Sequence, residues 1–450
     1  MTKDKLMTYT FIALLVLTIV SAAILSRASA GGWNLGITVA IISVIAVGIA
    51  VGADALLYKL TSDSPLNTMS AAVFGLIVAL SYSLGVPEFS QASDVIPKEL
   101  LSAPGAFLYV ALISIIGLVL FKKLQGLAGR KYVNPVAAAK LVVLLPFATT
   151  ALLAKDHFAS VVSGGLSLPL LSGPIGHTVI GNNGLVFNND FVSTSFAAYM
   201  QGCYSLPGTL PYTDFNWLMI VEKFHGWVGG ASSLAVVIVG LALFIIARRY
   251  IKWRITLAYF VSVALMALLL TVVYGGDLDV RLLFSVFIGS SIFLGFFMAT
   301  DPASTPLTYN GQVIFGAGLG ILTVLIQTYM NFFGGSILAL VIMNLFSPIL
   351  DKVGKLKPTT ESKEPRLPKA IQQSILRTYE CIRCGACMRV CCHRLSPILI
   401  KEAFDKTNVE IMSKLKSDYC TGCGHCSYVC PSRIDLKGTV LRAKAMLRNS

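Results

Sequence analysis

Between Cys381 and Cys430 the chain places eight cysteines in two runs of the same spacing, C-x2-C-x2-C-x3-C. The first run reads Cys381-Ile-Arg-Cys384-Gly-Ala-Cys387-Met-Arg-Val-Cys391, and the second reads Cys420-Thr-Gly-Cys423-Gly-His-Cys426-Ser-Tyr-Val-Cys430-Pro431. Three thiols on a tight loop can cap three corners of an iron–sulfur cube, leaving the last corner to a distant thiol. By the crossing rule for paired clusters, Cys381, Cys384, Cys387 and Cys430 are expected to hold one 4Fe-4S cluster, and Cys420, Cys423, Cys426 and Cys391 the other. Gly385, Gly422 and Gly424 suit loops that need positive φ and close backbone approach to sulfide. Structural zinc sites would use four cysteines in two C-x2-C pairs, and two complete four-cysteine runs in tandem argue against them. A disulfide framework conflicts with the topology developed below. The proline that usually follows the fourth cysteine is present after Cys430, but Cys392 takes the matching place after Cys391. With eight ligands already complete, Cys392 is read as an inert small residue.

The remainder of the chain must hold these loops, and its composition says against what. Of 450 residues, 55% are hydrophobic and only 13% charged, which places the chain among polytopic membrane proteins. The net charge of +14 comes from short basic runs at the ends of apolar segments, so a nucleic-acid partner is not needed to explain it. Five histidines leave little material for haem, and of ten cysteines only Cys203 lies outside the C-terminal region. Apolar stretches near 8-26, 34-58, 67-86, 104-121, 134-153, 227-247, 255-274, 281-299, 312-330 and 334-350 each approach the roughly 20 residues a helix needs to cross a bilayer. About ten transmembrane helices are therefore expected, the first read as a retained helix and not a cleaved signal.

Lysine and arginine in the connections set the orientation. With the N-terminus inside, the cytosolic side receives fourteen basic residues, from Lys3 and Lys5 through Lys59, Lys122, Lys123, Arg130, Lys131, Arg248, Arg249, Lys252 and Arg254 to Lys352, Lys355 and Lys357. The outer side receives five: Arg27, Lys98, Lys155, Lys223 and Arg281. Both termini are thus expected in the cytosol of a multi-pass protein of the cell membrane. Three units follow: a transmembrane domain over residues 1-357, a polar linker with three prolines over 358-369, and a cysteine-bearing domain over 370-450. Within the last, Ile371 to Glu380 is expected to be helical, and Pro397 to about Lys416 a helical connector. The connection from Lys155 to Glu222 is the one long extracytosolic loop, a length usually functional. Asp54 and Lys140 are the clearest ionisable groups inside spans, either functional or, in the blander reading, hydrated at the interface and snorkelling. Glu222, Lys223 and His225 read as a solvated cluster.

Several membrane motifs carry a resemblance. Gly129-Arg-Lys-Tyr-Val-Asn134-Pro135 opens the fifth span, Lys252-Trp253-Arg254-Ile255 precedes the seventh, Phe297-Met-Ala-Thr300-Asp301-Pro302 follows the eighth, and Asn344-Leu-Phe-Ser-Pro348-Ile-Leu-Asp351 closes the tenth. Residues 1 to 355 resemble the D subunit of Rnf electron-transport complexes and the related B subunit of sodium-pumping NADH:quinone reductase. The cysteine runs, with Cys-Ile-Arg-Cys and Tyr-Val-Cys-Pro-Ser, resemble the ferredoxin portion of the Rnf C subunit. The resemblance implies an all-α polytopic membrane protein of two inverted five-helix repeats, with a small C-terminal α+β ferredoxin-like domain carrying two clusters. It also implies FMN or another flavin, with Asn134, Pro135, Thr300, Asp301 and Pro302 as cofactor-binding positions and the two proline motifs at counterpart cytosolic helix starts. Relatives that attach FMN covalently use Asp-x-x-Ser/Thr-Gly-Ala-Thr. Here the nearest stretch is Asp190-Phe-Val-Ser193-Thr194-Ser195-Phe196, which puts Phe196 in the place of the threonine and leaves Thr194, through a shifted register, as the candidate.

No Gly-rich dinucleotide fingerprint follows a strand, so electrons are expected from a separate cytosolic ferredoxin-type donor. The basic residues Lys401, Lys406, Lys414, Lys416, Arg433 and Lys437 are candidates to dock it, or are simply solvated charges. The expected function is a membrane redox subunit passing electrons from that donor through two 4Fe-4S clusters to a membrane flavin. From there they go to an extracytosolic FMN-binding protein among other membrane redox subunits, with Na+ or H+ movement as a coupled step. A small-solute transporter with a redox-sensing domain and a plain membrane anchor for the ferredoxin portion are the alternatives.

Overall fold

On the long helices small and hydroxyl-bearing side chains are buried along with part of the large apolar ones, while many other large apolar side chains face outward. Along Leu35–Leu60 the buried positions include Thr38, Ser43, Ala46, Ala50 and Asp54, whereas Ile37 and Val44 are 60% and 73% exposed. Outward-facing apolar side chains with small residues at the helix contacts suit a bundle packed in lipid, where small residues let backbones approach. The computed structural model describes residues 3–27, 29–30, 33–60, 68–82, 103–124, 131–152, 215–223, 227–248, 250–287, 291–329, 336–353 and 378–449. The expected linker, the cofactor candidate Thr194, Cys203, His225 and most of the long loop lie outside the described residues.

The bundle comprises α1 (Lys3–Leu25), α2 (Leu35–Leu60), α3 (Thr68–Leu80), α4 (Ala103–Ile116, extended by π turns over Gly117–Leu124), α5 (Pro135–Leu152), α6 (Phe215–Ile220) and α7 (Ser233–Ile246). It continues with α8 (Trp253–Tyr274), α9 (Leu278–Phe287), α10 (Ser291–Phe293, extended by π turns over Leu294–Met298), α11 (Tyr309–Tyr329) and α12 (Ser336–Leu350). Every span expected from the sequence overlaps one or more of these helices. Among the described residues, five helices are long and apolar enough to cross a membrane alone, and a sixth span counts if α9 and α10 are taken together. The expected eighth span is therefore not one rod. It bends by 62° between α9 and α10, where Gly289 and Ser290 interrupt the apolar run, and π turns follow. A two-residue ribbon, Ser29–Ala30 paired antiparallel with Trp33–Asn34, leads into α2. Asn34 caps that helix, its Oδ1 accepting from the Gly36 N–H at 2.9 Å.

Glycines set the closest helix contacts. A Cβ on Gly320 of α11 would overlap Ser262 Oγ and lie 2.7 Å from the Tyr259 carbonyl of α8, so this crossing tolerates nothing larger. Gly75 of α3 meets the Ala46 carbonyl of α2 in the same way, at 2.7 Å.

Residues 378–449 pack on one end of this bundle. They form α13 (Ala386–Arg389), α14 (Pro397–Asp405), α15 (Val409–Lys414), a 3-10 turn (Ser417–Tyr419), α16 (His425–Tyr428) and α17 (Leu436–Asn449). Helices and turns carry the cysteine loops here, with no strand among the described residues of the segment; the helical connector after Pro397 is present, whereas residues 378–380 are not helical. Two apolar contacts seat the segment: Ile382, Cys384, Ala386 and Val429 against Leu6, Ala247 and Tyr250, and Cys387, Met388, Ile398 and Leu436 against Leu307. Between them Arg383, only 4% exposed, reaches Asp351 beyond the end of α12 with Nη2 at 3.4 Å and pairs through Nη1 with Glu402 of α14. Asp351 also accepts from the Leu307 N–H at 2.7 Å, and Tyr379 Oη donates to Asp4 at 2.6 Å.

Two outcomes follow from this packing. Gly320→Leu should destabilise the bundle by about 1–3 kcal/mol through overpacking, read as a lowered thermal midpoint in detergent; an unchanged midpoint would contradict the close crossing. Arg383→Gly keeps the loop backbone permitted but leaves Asp351 and Glu402 without this partner, a loss of about 3 kcal/mol or more for a buried pair. Limited trypsin digestion in detergent should then release the cysteine segment faster, and an unaltered rate would remove Arg383 from the docking contact.

Candidate iron–sulfur site and adjoining cavity

The two cysteine loops share one backbone design. Gly385 and Gly424 hold equivalent left-handed positions at φ 72° and 80°, Arg383 and Gly422 at 51° and 72°, and Arg394 and Arg433 at 54° and 53°. These turns fold each loop around its thiols. Amide hydrogens point at sulfur in the same place in both, Arg383 N–H to Cys381 Sγ at 3.3 Å and Gly422 N–H to Cys420 Sγ at 3.4 Å.

The thiols gather around two small cavities, four at each. Cys381, Cys384, Cys387 and Cys430 line one small cavity, closed by Ile398, Ile434 and Leu436. Cys391, Cys420, Cys423 and Cys426 line a second, with Leu395, Pro397 and Val440. Among the described residues no three His, Cys, Asp or Glu groups converge as a single metal ion would need. Four thiols, apolar walls and amide donors aimed at sulfur fit a 4Fe-4S cube. Burial raises the Cys384 and Cys387 thiols above their ordinary range and pushes Cys426 up to about 12. Bound iron would reverse that by supplying the charge a buried thiolate lacks. Cys392 is not among the residues lining either cavity and lies 3.8 Å from Cys423 Sγ.

Cys381 faces two ways. It lines the first thiol cavity and also a larger one, of about 200 Å³, that reaches into the bundle. That larger cavity is bordered by Asn134, Pro135, Thr300, Asp301 and Pro302, so the structure brings five of the six cofactor candidates to one place. Phe74, Phe296 and Phe297 supply apolar wall, and Lys122, Lys123 and Lys131 supply positive charge.

Each candidate is held by identifiable contacts. Asn134 caps α5, its Oδ1 accepting from the Val136 and Ala137 N–H groups at 3.0 and 3.3 Å, with Pro135 in the first helical position. Its Nδ2 donates to the Met298 carbonyl at 3.2 Å, tying the start of α5 to the end of α10. Asp301 and Pro302 do not start a helix, contrary to expectation. They lie in the irregular stretch between Met298 and α11, where Asp301 accepts from Ser304 Oγ at 2.9 Å and from the Ala303 N–H at 3.4 Å. Lys252 immobilises that stretch. Its buried ammonium donates to the carbonyls of Pro302 and Thr305 at 2.9 and 2.8 Å and to Thr305 Oγ1 at 2.9 Å, a full set for three donors.

Other ionisable groups depart from their blander readings. Asp54 is buried, pairs with Lys123 at 2.6 Å and lines the cavity, so it is not hydrated at the interface. Lys140 does not snorkel: its ammonium sits 4.4 Å from the centre of the Trp227 ring and donates to the Ser81 carbonyl. Lys223 is likewise buried and donates to the Phe287 carbonyl, while Glu222 pairs with Arg27 at 2.7 Å. Sequence reasoning missed Lys252 and Arg383 as organisers. A charged residue next to apolar neighbours, as in Ile251-Lys252-Trp253 and Ile382-Arg383-Cys384, was the available signal. Of the proposed docking charges, Lys401 and Lys414 are engaged with Asp405 and Glu410 along their own helices, and Lys437 lines the second thiol cavity.

Comparison with known proteins agrees with this division of labour. Residues 100–359 match the NQR2, RnfD, RnfE family, and residues 380–434 match a 4Fe-4S dicluster domain. The chain is 26% identical over 337 residues to the D subunit of the Na(+)-translocating ferredoxin:NAD(+) oxidoreductase complex of Acetobacterium woodii, covering 74% of this chain and 86% of that one. It is 30% identical over 243 residues to the B subunit of the Na(+)-translocating NADH-quinone reductase of Ectopseudomonas mendocina, covering 52% of each. It is also 30% identical over 170 residues to the D subunit of the ion-translocating oxidoreductase complex of Methanosarcina acetivorans, covering 37% of this chain and 53% of that one. With its apolar helices packed as lipid requires and its cysteine loops seated at one end, the chain is a multi-pass membrane protein that belongs to the NQR2, RnfD, RnfE family and carries a 4Fe-4S dicluster domain.

Proposed function

We propose that this protein is a membrane redox subunit that passes electrons from a cytosolic low-potential donor to a flavin in the bundle and on to an extracytosolic partner. Ion movement, of Na+ or H+, is the coupled step. The observation that carries this reading is the double placement of Cys381, which belongs to a four-thiol cavity and also borders the cavity of the family motifs. Bound clusters supply one-electron chemistry and a flavin takes one electron or two, which is the chemistry such a junction needs.

The residues divide the work. Cys381, Cys384, Cys387 and Cys430 would hold the inner cluster, and Cys391, Cys420, Cys423 and Cys426 the outer one. In the inner set Cys384 and Cys387 are buried, Cys430 is half-buried and Cys381 is exposed, while all four thiols of the outer set are half-buried. Lys416 and Lys437, both exposed, add positive charge near the outer set, which suits an acidic ferredoxin-type donor. In the cavity, the phenylalanines give flat apolar contact for a flavin ring. Lys131 favours its reduced, anionic form or a phosphate, Lys123 being paired with Asp54 and Lys122 donating to the Ser70 carbonyl, and Asn134 with Asp301 offers polar atoms at the rim. That both proline motifs border one cavity also supports their being counterparts in two halves of the bundle. The partners are the neighbouring membrane subunits implied by the relatives' names, and Thr194 is retained as the candidate should the flavin be covalently attached.

Anaerobically purified protein should contain about eight irons per chain together with flavin, measured by iron assay and flavin fluorescence. Acid precipitation would separate free flavin from any attached to Thr194. Eight irons with no flavin in either fraction would overturn the intrinsic relay. Lys131→Ala should lower non-covalent flavin severalfold while the iron content stays the same, and undiminished flavin would exclude Lys131 from the site.

A further inference from the structure

A second cleft, of about 380 Å³, opens on the same end of the bundle and takes no part in the path above. Arg248, Ile251, Lys252, Trp253, Arg254, Tyr309, Gln312 and Arg389 line it. Four of these are basic and none is acidic. Arg248 follows the end of α7, Trp253 and Arg254 open α8, and Tyr309 opens α11, so the cleft sits where three bundle helices reach the membrane surface. Arg389 comes from α13, between Cys387 and Cys391 in the dicluster domain.

The arginines are presented in fixed positions. The Arg254 guanidinium lies 3.8 Å from the centre of the Tyr309 ring and 5.3 Å from that of Trp253, a stack that holds it flat at the cleft wall. Lys252 at the base is committed to three oxygens. The start of α8 has no side-chain cap, so the first backbone N–H groups of that helix add to the positive field. An anion with several oxygens is the complementary ligand.

What lies beside the cleft identifies the source of that anion. Trp253 is 39% exposed, as an aromatic at headgroup depth would be. On the membrane side, Ile246, Leu257 and Val313 are 56%, 56% and 47% exposed, an apolar strip on the same three helices. A headgroup in the cleft would therefore have its acyl chains on this strip. We infer that the cleft is a binding site for an anionic phospholipid, whose phosphate is held by Arg248, Arg254 and Arg389. Because Arg389 belongs to the dicluster domain and the other two to the bundle, the lipid bridges the two parts of the chain. It is a third tether beside the Arg383 contact and the apolar seats.

The test uses the full-length, iron-loaded protein in neutral detergent, titrated with phosphatidylglycerol, with phosphatidylcholine or with inorganic phosphate. Retained lipid is counted by native mass spectrometry and the thermal midpoint is followed in parallel. Phosphatidylglycerol should be retained and raise the midpoint, whereas phosphatidylcholine and phosphate should do neither. Arg248→Gln should weaken phosphatidylglycerol retention roughly fivefold, and Arg248→Gln with Arg389→Gln more than tenfold. Iron content and elution profile in each variant serve as the check on folding, and Arg248→Gln leaves the Arg254 stack intact. Equal retention of phosphatidylglycerol and phosphatidylcholine, or equal retention by wild type and folded variants, would overturn the site. Stabilisation by inorganic phosphate alone would show a free-anion site and overturn the lipid assignment.

Discussion

One buried guanidinium determines how the two parts of this chain meet. Arg383 lies in the first cysteine loop in a left-handed backbone conformation that the second loop gives to Gly422. Such a conformation costs a non-glycine residue roughly 1 kcal/mol. It is retained because the side chain reaches out of the loop to Asp351, and is held on the other side by Glu402. The same turn that shapes the thiol pocket thus anchors that pocket to the bundle. Cys381, two residues earlier, is placed at the cavity mouth as a direct result. The second loop, with glycine in that place, has no equivalent reach and remains on the outer side.

Within the bundle a parallel constraint operates. Apolar surroundings cannot hydrate the carbonyls set free where helices end or bend, so each must find a donor inside the protein. Three lysines serve this need: Lys140 for Ser81 beyond α3, Lys223 for Phe287 at the end of α9, and Lys252 for Pro302 and Thr305. Asn134 does the same for Met298 while capping its own helix. The irregular backbone around Asp301 is consequently held in place despite lacking a helix, with the Pro302 and Thr305 carbonyls satisfied where it borders the cavity. A lipid phosphate among Arg248, Arg254 and Arg389 would extend the same logic to the membrane surface, matching clustered positive charge with an anion from outside the chain.

The residue order alone determined what is local or periodic. The two cysteine runs carry their chemistry in their spacing, since three thiols at every third position, on a loop turned by glycines, can face a common centre. The apolar lengths pointed to helices, because a backbone in lipid must satisfy its hydrogen bonds internally, and among the described residues five, or six with the bent pair, are long and apolar enough to cross a membrane. Asn134-Pro135 as a helix start was legible for the same reason, being a cap and a fixed φ in adjacent positions.

Tertiary structure decided everything that depends on meeting across long separations. The bend between α9 and α10 could not be read from hydropathy, which is blind to direction. The helical start assigned to Asp301-Pro302 failed because Lys252, fifty residues away in sequence, holds that stretch in an irregular form. Asp54, Lys140 and Lys223 looked hydrated or snorkelling because sequence shows neither depth nor partner, and their partners lie on other helices. The junction, in which Cys381 lines the same cavity as Asn134 and Asp301, depends on contacts far apart in sequence, among them Arg383 with Asp351, two charges that no spacing rule connects.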